Sequence, residues 1–237
     1  MVREDFFLHK LHSLTGIVPV GFYMVQHLTL NSFAFAGPDR FNGVIHFFEG
    51  IPAHVFMVIR FGLVWLPLIF HAVYGLMIVS RSERNYVGAV KQYRENGYYN
   101  WQRWTGILAF LFLCYHMATT SVAGMLYGQE STNYYHNWAG HLSEPFLGIP
   151  YFFAAVYVIG VVACSYHLAY GLWNFGIRWG ITISEKSQKG MAKFAMVFFF
   201  LLSGIGILAL SGFFRHQDPN HPVERSVYSA PLGEHAG

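Results

Sequence analysis

Five stretches of this chain contain no Asp, Glu, Lys or Arg: Leu11 to Pro38, Phe61 to Ser80, Trp104 to Gln129, Pro145 to Ile177 and Phe194 to Phe214. Each has at least 20 residues. A helix needs about 20 apolar residues to cross a ~30 Å hydrocarbon core. Strands of a membrane barrel would be about half that length and would alternate in polarity. Composition points the same way: 11% of residues are charged and 54% hydrophobic, against about 25% charged in soluble domains. The chain is therefore read as an all-α membrane protein. Five transmembrane helices are predicted near 12–36, 54–80, 101–127, 150–178 and 190–214, forming one domain over 1–214. A polar, Pro-containing tail follows over 215–237.

Several function classes drop out. Two cysteines, Cys114 and Cys164, fall short of the four thiolates an iron–sulfur cluster takes, and both are expected as small buried core residues. Neither a dinucleotide-binding glycine motif nor a P-loop is present, and no nucleic-acid partner is expected. The N-terminal "MVREDFFLHK" mixes acids with bases ahead of an apolar run too long for a cleaved signal. Eleven Lys/Arg cluster before helix one, between helices two and three, and around the turn from four to five; four lie on the other side. The positive-inside rule then places the N-terminus in the cytoplasm and the C-terminus outside. Arg60 is expected to snorkel near the start of helix two.

Four of the 13 histidines fall deep in apolar runs, one in each of the first four helices: His27, His71, His116 and His167. An ionisable side chain inside a span is a functional candidate. His27 and His116 each lie 15 residues past the expected starts of helices that run outward, about 22 Å from the inner end. His71 and His167 each lie 17 residues past the starts of helices that run inward. The outcome is two histidine pairs at two depths. Paired imidazoles between apolar helices suit haem iron, which takes one ring nitrogen on each face. Zinc asks for three or four protein ligands. A proton wire is a further reading, but it explains neither the pairing by depth nor the nearby glycines. His71 and His167 both begin the hexapeptide pattern His-x-x-Tyr-Gly-Leu. Gly75 and Gly171 sit one turn on, on the same helix face, where a missing side chain would let a flat macrocycle approach. The outer pair has Asn31 and Thr120 at that offset. Arg81 and Arg178 follow the inner histidines by 10 and 11 residues, where a guanidinium can pair with a propionate. Pro67 should kink helix two.

These residues resemble a known family, the di-haem b558-type cytochrome b subunit of succinate:quinone oxidoreductases and fumarate reductases. The likeness covers all five helices. It rests on "LHSLTGIVPVGFYMVQH", "WQRWTGILAFLFLCYH", the order of the four histidines and the two His-x-x-Tyr-Gly segments. The resemblance implies a four-helix bundle, helices one to four, around two stacked haem b groups. His27 and His116 would hold the outer haem, and His71 and His167 the inner. It implies His12, Ser13 and Arg178 as contacts of the inner propionates, and Glu49 as a catalytic acid beside an outer quinone pocket. It implies location in the cytoplasmic (inner) membrane and membrane quinone, menaquinone in this type, as substrate. Flavoprotein and iron–sulfur subunits would dock at the inner surface around 81–103 and 179–193, and a higher oligomer of the complex is compatible with it. The succinate site would lie on another chain. Ser165 stands where some fumarate reductases carry a glutamate, so the proton path built on that residue is not expected here. Other readings are a cytochrome b of a hydrogenase-linked or ascorbate-type system, or a haem-free transporter using the histidines.

Overall fold

The computed structural model describes residues 2–81, 94–123 and 134–216. Expectations for the tail beyond 216, for most of the loop between helices two and three, and for the end of helix three therefore lie outside the described residues. All regular structure described is helical: α1 (Val2–Thr15), α2 (Phe22–Asn31), α3 (Pro38–Glu49), α4 (Ala53–Ile59), α5 (Leu66–Arg81), α6 (Arg94–Met117), α7 (Tyr134–Ser143), α8 (Phe152–Arg178) and α9 (Glu185–Arg215).

Four helical stretches are long and apolar enough to cross a membrane: Ala53–Arg81, Gly97–Val122, Phe152–Arg178 and Glu185–Arg215. They cover the second to fifth expected spans. The first expected span is helical too, running through α1, a π-helical turn at Gly16–Gly21 and α2 into a 3-10 turn at Ser32–Ala36. It is not among the four. Large apolar side chains such as Phe22, Val58, Leu66 and Phe200 point outward, the arrangement a lipid solvent favours.

Among the described residues, three wide π-helical turns interrupt the helices, at Gly16–Gly21, Arg60–Trp65 and Ala118–Val122. Pro19 lies inside the first, and Pro67 follows the second by two residues. A proline cannot donate to the carbonyl a turn below, and a wide turn absorbs that loss. The Leu66 amide donates to Phe61 O across five residues, so the expected distortion in helix two takes this form. Each wide turn lies within six residues of His27, His71 or His116. The His167 helix α8 is unbroken.

The chain forms two compact units. Among the described residues, the first comprises 2–26, 53–81, 94–110 and 162–203; the second comprises 27–52, 111–123, 134–161 and 204–216. In the first, Trp173 and Ala169 anchor a buried cluster with Tyr170 and Ala195, and Trp173 Nε1 donates to Gln188 O at 3.2 Å. Gly180, at φ +70°, ends α8, and Ile181 N bonds back to Gly176 O at 2.8 Å. A left-handed residue closing a helix in this way is normally glycine. Ser184 caps α9, accepting from Ser187 N at 3.2 Å. In the second unit, Phe41, Tyr135 and Phe213 pack ring to ring at 5.0–6.2 Å. The Tyr135 hydroxyl donates to Gly212 O, and Gly212 itself admits the backbone of Ala34 and Phe35. The two cysteines are free, and Cys114 is exposed on α6 rather than buried.

Candidate haem sites and an acidic cluster

The first unit brings His71 of α5 and His167 of α8 to a ring-centre distance of 6.1 Å, with planes at 76°. Each ring is held by a neighbouring helix. His71 Nδ1 lies 2.9 Å from His12 O, and His167 Nδ1 lies 3.0 Å from Gln102 O. A carbonyl oxygen only accepts, so Nδ1 carries the proton and the Nε2 lone pair is left in the ring plane. Metal-binding histidines are oriented in this way.

The two halves of this site repeat one another. His12 and Gln102 are each followed by Thr-Gly-Ile, at Thr15–Ile17 and Thr105–Ile107. Thr15 Oγ1 bonds to His12 O at 3.1 Å, and Thr105 Oγ1 to Gln102 O at 3.3 Å, so both carbonyls serve a threonine and an imidazole. The glycines then face the rings. A Cβ on Gly16 would meet the His71 ring, with Nδ1 at 2.7 Å, and one on Gly106 would stand 2.9 Å from His167 Cε1. The glycines singled out in the sequence lie against the side chains at 12 and 102. A Cβ on Gly75 would lie 3.1 Å from His12 Nε2, and one on Gly171 would lie 3.4 Å from Gln102 Nε2. Gly75 and Gly171 thus make room for the side chains at 12 and 102. His12 lies flat on His71 at 4.1 Å and 5°, and Gln102 Nε2 donates to His167 O at 2.9 Å. Stacking covers a ring's face and leaves its in-plane nitrogen unblocked.

Near the N-terminal end of α1, Phe6, His9, Lys10 and Arg178 line an open cleft of about 270 Å³. Ser13 Oγ accepts from Trp179 Nε1 at 3.0 Å, and the Lys10 ammonium lies 4.8 Å from a Trp179 ring centre. Two cations and the Trp179–Ser13 bond therefore gather beside His12. Arg81, exposed at the last position of α5, is not part of the cleft lining.

In the second unit, His27 and His116 have ring centres 5.8 Å apart with planes at 72°. Here a side chain holds the ring: His116 Nδ1 lies 3.1 Å from the Tyr157 hydroxyl. Asn31 and Thr120 turn back onto the carbonyls of their own histidines, at 2.7 and 2.5 Å. That use of the offset-four position needs no glycine.

Both pairs suit bis-imidazole iron. A metal–imidazole bond of about 2 Å on each side, plus half of each ring, puts ring centres roughly 6 Å apart. Coordination along that line leaves the planes free to sit at any angle. Among the described residues no group of three or more His, Cys, Asp or Glu is placed to hold a metal ion.

Glu49, at the end of α3, forms a cluster with His46 and Tyr134. The Tyr134 hydroxyl donates to Oε1, and His46 Nδ1 lies 2.8 Å from Oε2. The tyrosine bond first, then the imidazole, holds the Glu49 carboxyl below the usual carboxylate range. His46 and Tyr134 were not singled out in the sequence. The Thr-Gly-Ile repeat was a visible signal for Gly16 and Gly106, whereas nothing local marked Tyr134 or Tyr157.

Residues 90–204 match the family described as succinate dehydrogenase/fumarate reductase transmembrane subunit. The chain is also 33% identical over 211 residues to the succinate dehydrogenase cytochrome b558 subunit of Bacillus subtilis (strain 168), covering 89% of this chain and 98% of that one. The chain belongs to the succinate dehydrogenase/fumarate reductase transmembrane subunit family. Membership accounts for the long apolar helices of the chain. The family match takes in His116 and His167 but begins after His27 and His71; the longer alignment extends to most of the chain.

Proposed function

We propose that this chain is a five-helix, di-haem cytochrome b that anchors a succinate:quinone oxidoreductase in the cytoplasmic membrane. Flavoprotein and iron–sulfur subunits dock on its inner side, and membrane quinone, menaquinone by resemblance, exchanges electrons with it. Helices one to four surround two stacked haem b groups, His71 and His167 holding the inner one and His27 and His116 the outer. The N-terminus lies in the cytoplasm and the tail from 215 outside. The observation that carries this reading is the doubled ring-centre separation near 6 Å, with Nδ1 of His71 and His167 engaged by carbonyls. The relative's name, a cytochrome b558 subunit, supports it.

When bound, each haem supplies a one-electron carrier, its iron alternating between the ferric and ferrous states. The chain's residues prepare the sites. His12 O and Gln102 O fix the inner imidazoles in the tautomer that presents Nε2. Gly16 and Gly106 keep the space beside the rings clear. Arg178 and Lys10, with Ser13 and His12 nearby, form a cationic end suited to propionates. Exposed Arg81 remains a candidate for the same anionic edge. When the enzyme runs from quinol, quinol oxidation releases two protons, and Glu49, at the end of α3, would accept one. Held as a carboxylate by Tyr134 and His46, it passes a proton on rather than storing it.

A reduced-minus-oxidised spectrum of the complex purified with its partner subunits tests the reading. Two b-type haems per chain, both reducible by succinate, are expected. A featureless spectrum would overturn it.

A further inference from the structure

The inner histidines are both oriented by backbone carbonyls, which no substitution can delete. The ring of His116 is oriented by a side chain. Its Nδ1 lies 3.1 Å from the hydroxyl of Tyr157, which is 41 positions away on α8. That phenol is well fixed. Tyr157 is 6% exposed. The Phe112 ring meets it edge-on at 5.2 Å, with Trp138 at 5.9 Å and Tyr115 at 6.0 Å. Phe112 also stacks on His116 at 5.8 Å and 22°, and it fits against α8 because position 160 is glycine. His116 and Tyr157 are thus wedged into a fixed relation by a shared aromatic neighbour.

We propose that Tyr157 is a positioning residue for the outer haem. Its hydroxyl oxygen accepts the Nδ1 proton of His116, selects the tautomer that presents Nε2, and sets how strongly that nitrogen donates to iron. The inference rests on the haem reading above. A hydrogen-bond acceptor on the distal nitrogen raises the basicity of an imidazole ligand and thereby stabilises the oxidised metal. Removing it weakens the ligand and favours the reduced state. At the inner centre the carbonyls of His12 and Gln102 take that place, so the effect is confined to one of the two haems.

The experiment compares Tyr157→Phe with Tyr115→Phe in the whole complex by potentiometric titration of the haem absorbance. Tyr115 belongs to the same aromatic group, but its hydroxyl lies 2.8 Å from His141 Nε2 rather than on the haem ligand. Both changes delete one phenol oxygen and keep the ring. In Tyr157→Phe, the midpoint of one haem should rise while the other holds, and retention of that haem should weaken about 10–100-fold. Tyr115→Phe should leave both midpoints in place. Loss of one haem from Tyr157→Phe alone also supports the proposal. Unmoved midpoints in Tyr157→Phe, equal shifts of both haems, or like behaviour of the two variants would overturn it. The parent complex distinguishes the two levels of failure. A parent without haem fails the cytochrome reading, whereas a two-haem parent with an unresponsive Tyr157→Phe fails only this inference.

Discussion

The two units hold histidine pairs of nearly the same geometry, 6.1 Å and 76° in one, 5.8 Å and 72° in the other, yet they build them differently. The first unit uses a duplicated backbone device: a carbonyl at 12 or 102, a threonine three residues on, and a glycine four on. Its glycines are spent on the rings and on the side chains at 12 and 102. The second unit uses side chains, with Tyr157 on His116 and aromatic packing around both. Its glycines at 160, 206 and 212 admit Phe112, Val161 and the backbone at Ala34–Phe35 instead. A similar separation of imidazoles can therefore be reached by backbone repetition or by aromatic packing. The two solutions differ in what mutation can reach.

Replacement of the ligands has the largest expected effect on that comparison. His71→Ala or His167→Ala should remove one haem of two, and His27→Ala or His116→Ala the other, read as haem per protein in the purified complex. Loss of both haems from every variant, with the complex still assembled, breaks the division into two sites.

Glu49→Gln tests the second unit's chemistry apart from its haem. Quinol-driven turnover should fall by about 10²-fold, the lower range for loss of a positioned acid–base group, with haem content unchanged. Normal turnover would remove Glu49 from the mechanism.

Next in size come the glycines. Gly16→Ala places a methyl on the His71 ring and should cost about 1–3 kcal/mol as overpacking, with the inner haem lost on heating before the outer. Gly62→Ala, where nothing lies within 4 Å, is the control. It should be neutral or stabilising by about 0.5–1 kcal/mol, as alanine suits a helix better than glycine. Equal effects from the two changes would show that the space beside His71 is not special.

The smallest effect is a displacement of pH dependence. Glu49 is held below its ordinary pKa chiefly by the Tyr134 hydroxyl. A carboxylate acceptor is lost as pH falls through its folded pKa, so the lowered value keeps Glu49 competent into more acidic solution. Tyr134→Phe removes the donor, raises that pKa, and should move the acidic limb of the quinol-oxidation profile to higher pH. A limb that stays in place would assign it to another group.

Legibility in the sequence varied with the range of the interaction. Charge-free stretches marked helices two to five closely, because apolar length alone decides what can cross a bilayer. The first stretch was read as a span on the same grounds, and its wide turn at Gly16–Gly21 was not foreseen. The pairing of 27 with 116 and of 71 with 167 was readable because helix rise converts position into depth. Gly75 and Gly171 were visible as a repeat, but their approach to the side chains at 12 and 102 was not, since same-face geometry cannot say which other helix approaches. Of the two basic residues placed by offset, Arg178 joins the cleft with Lys10 while Arg81 does not.

The chain's order of apolar runs, polar breaks and buried histidines was enough to specify a helical membrane subunit with two imidazole pairs, because those properties depend on local hydropathy and helix periodicity. Tertiary structure alone decided which oxygen orients the rings of His71, His116 and His167. His12 O, Gln102 O and the Tyr157 hydroxyl reach their imidazoles across separations of 41 to 65 residues. Such contacts are set by how helices pack, and no pattern within one helix encodes them.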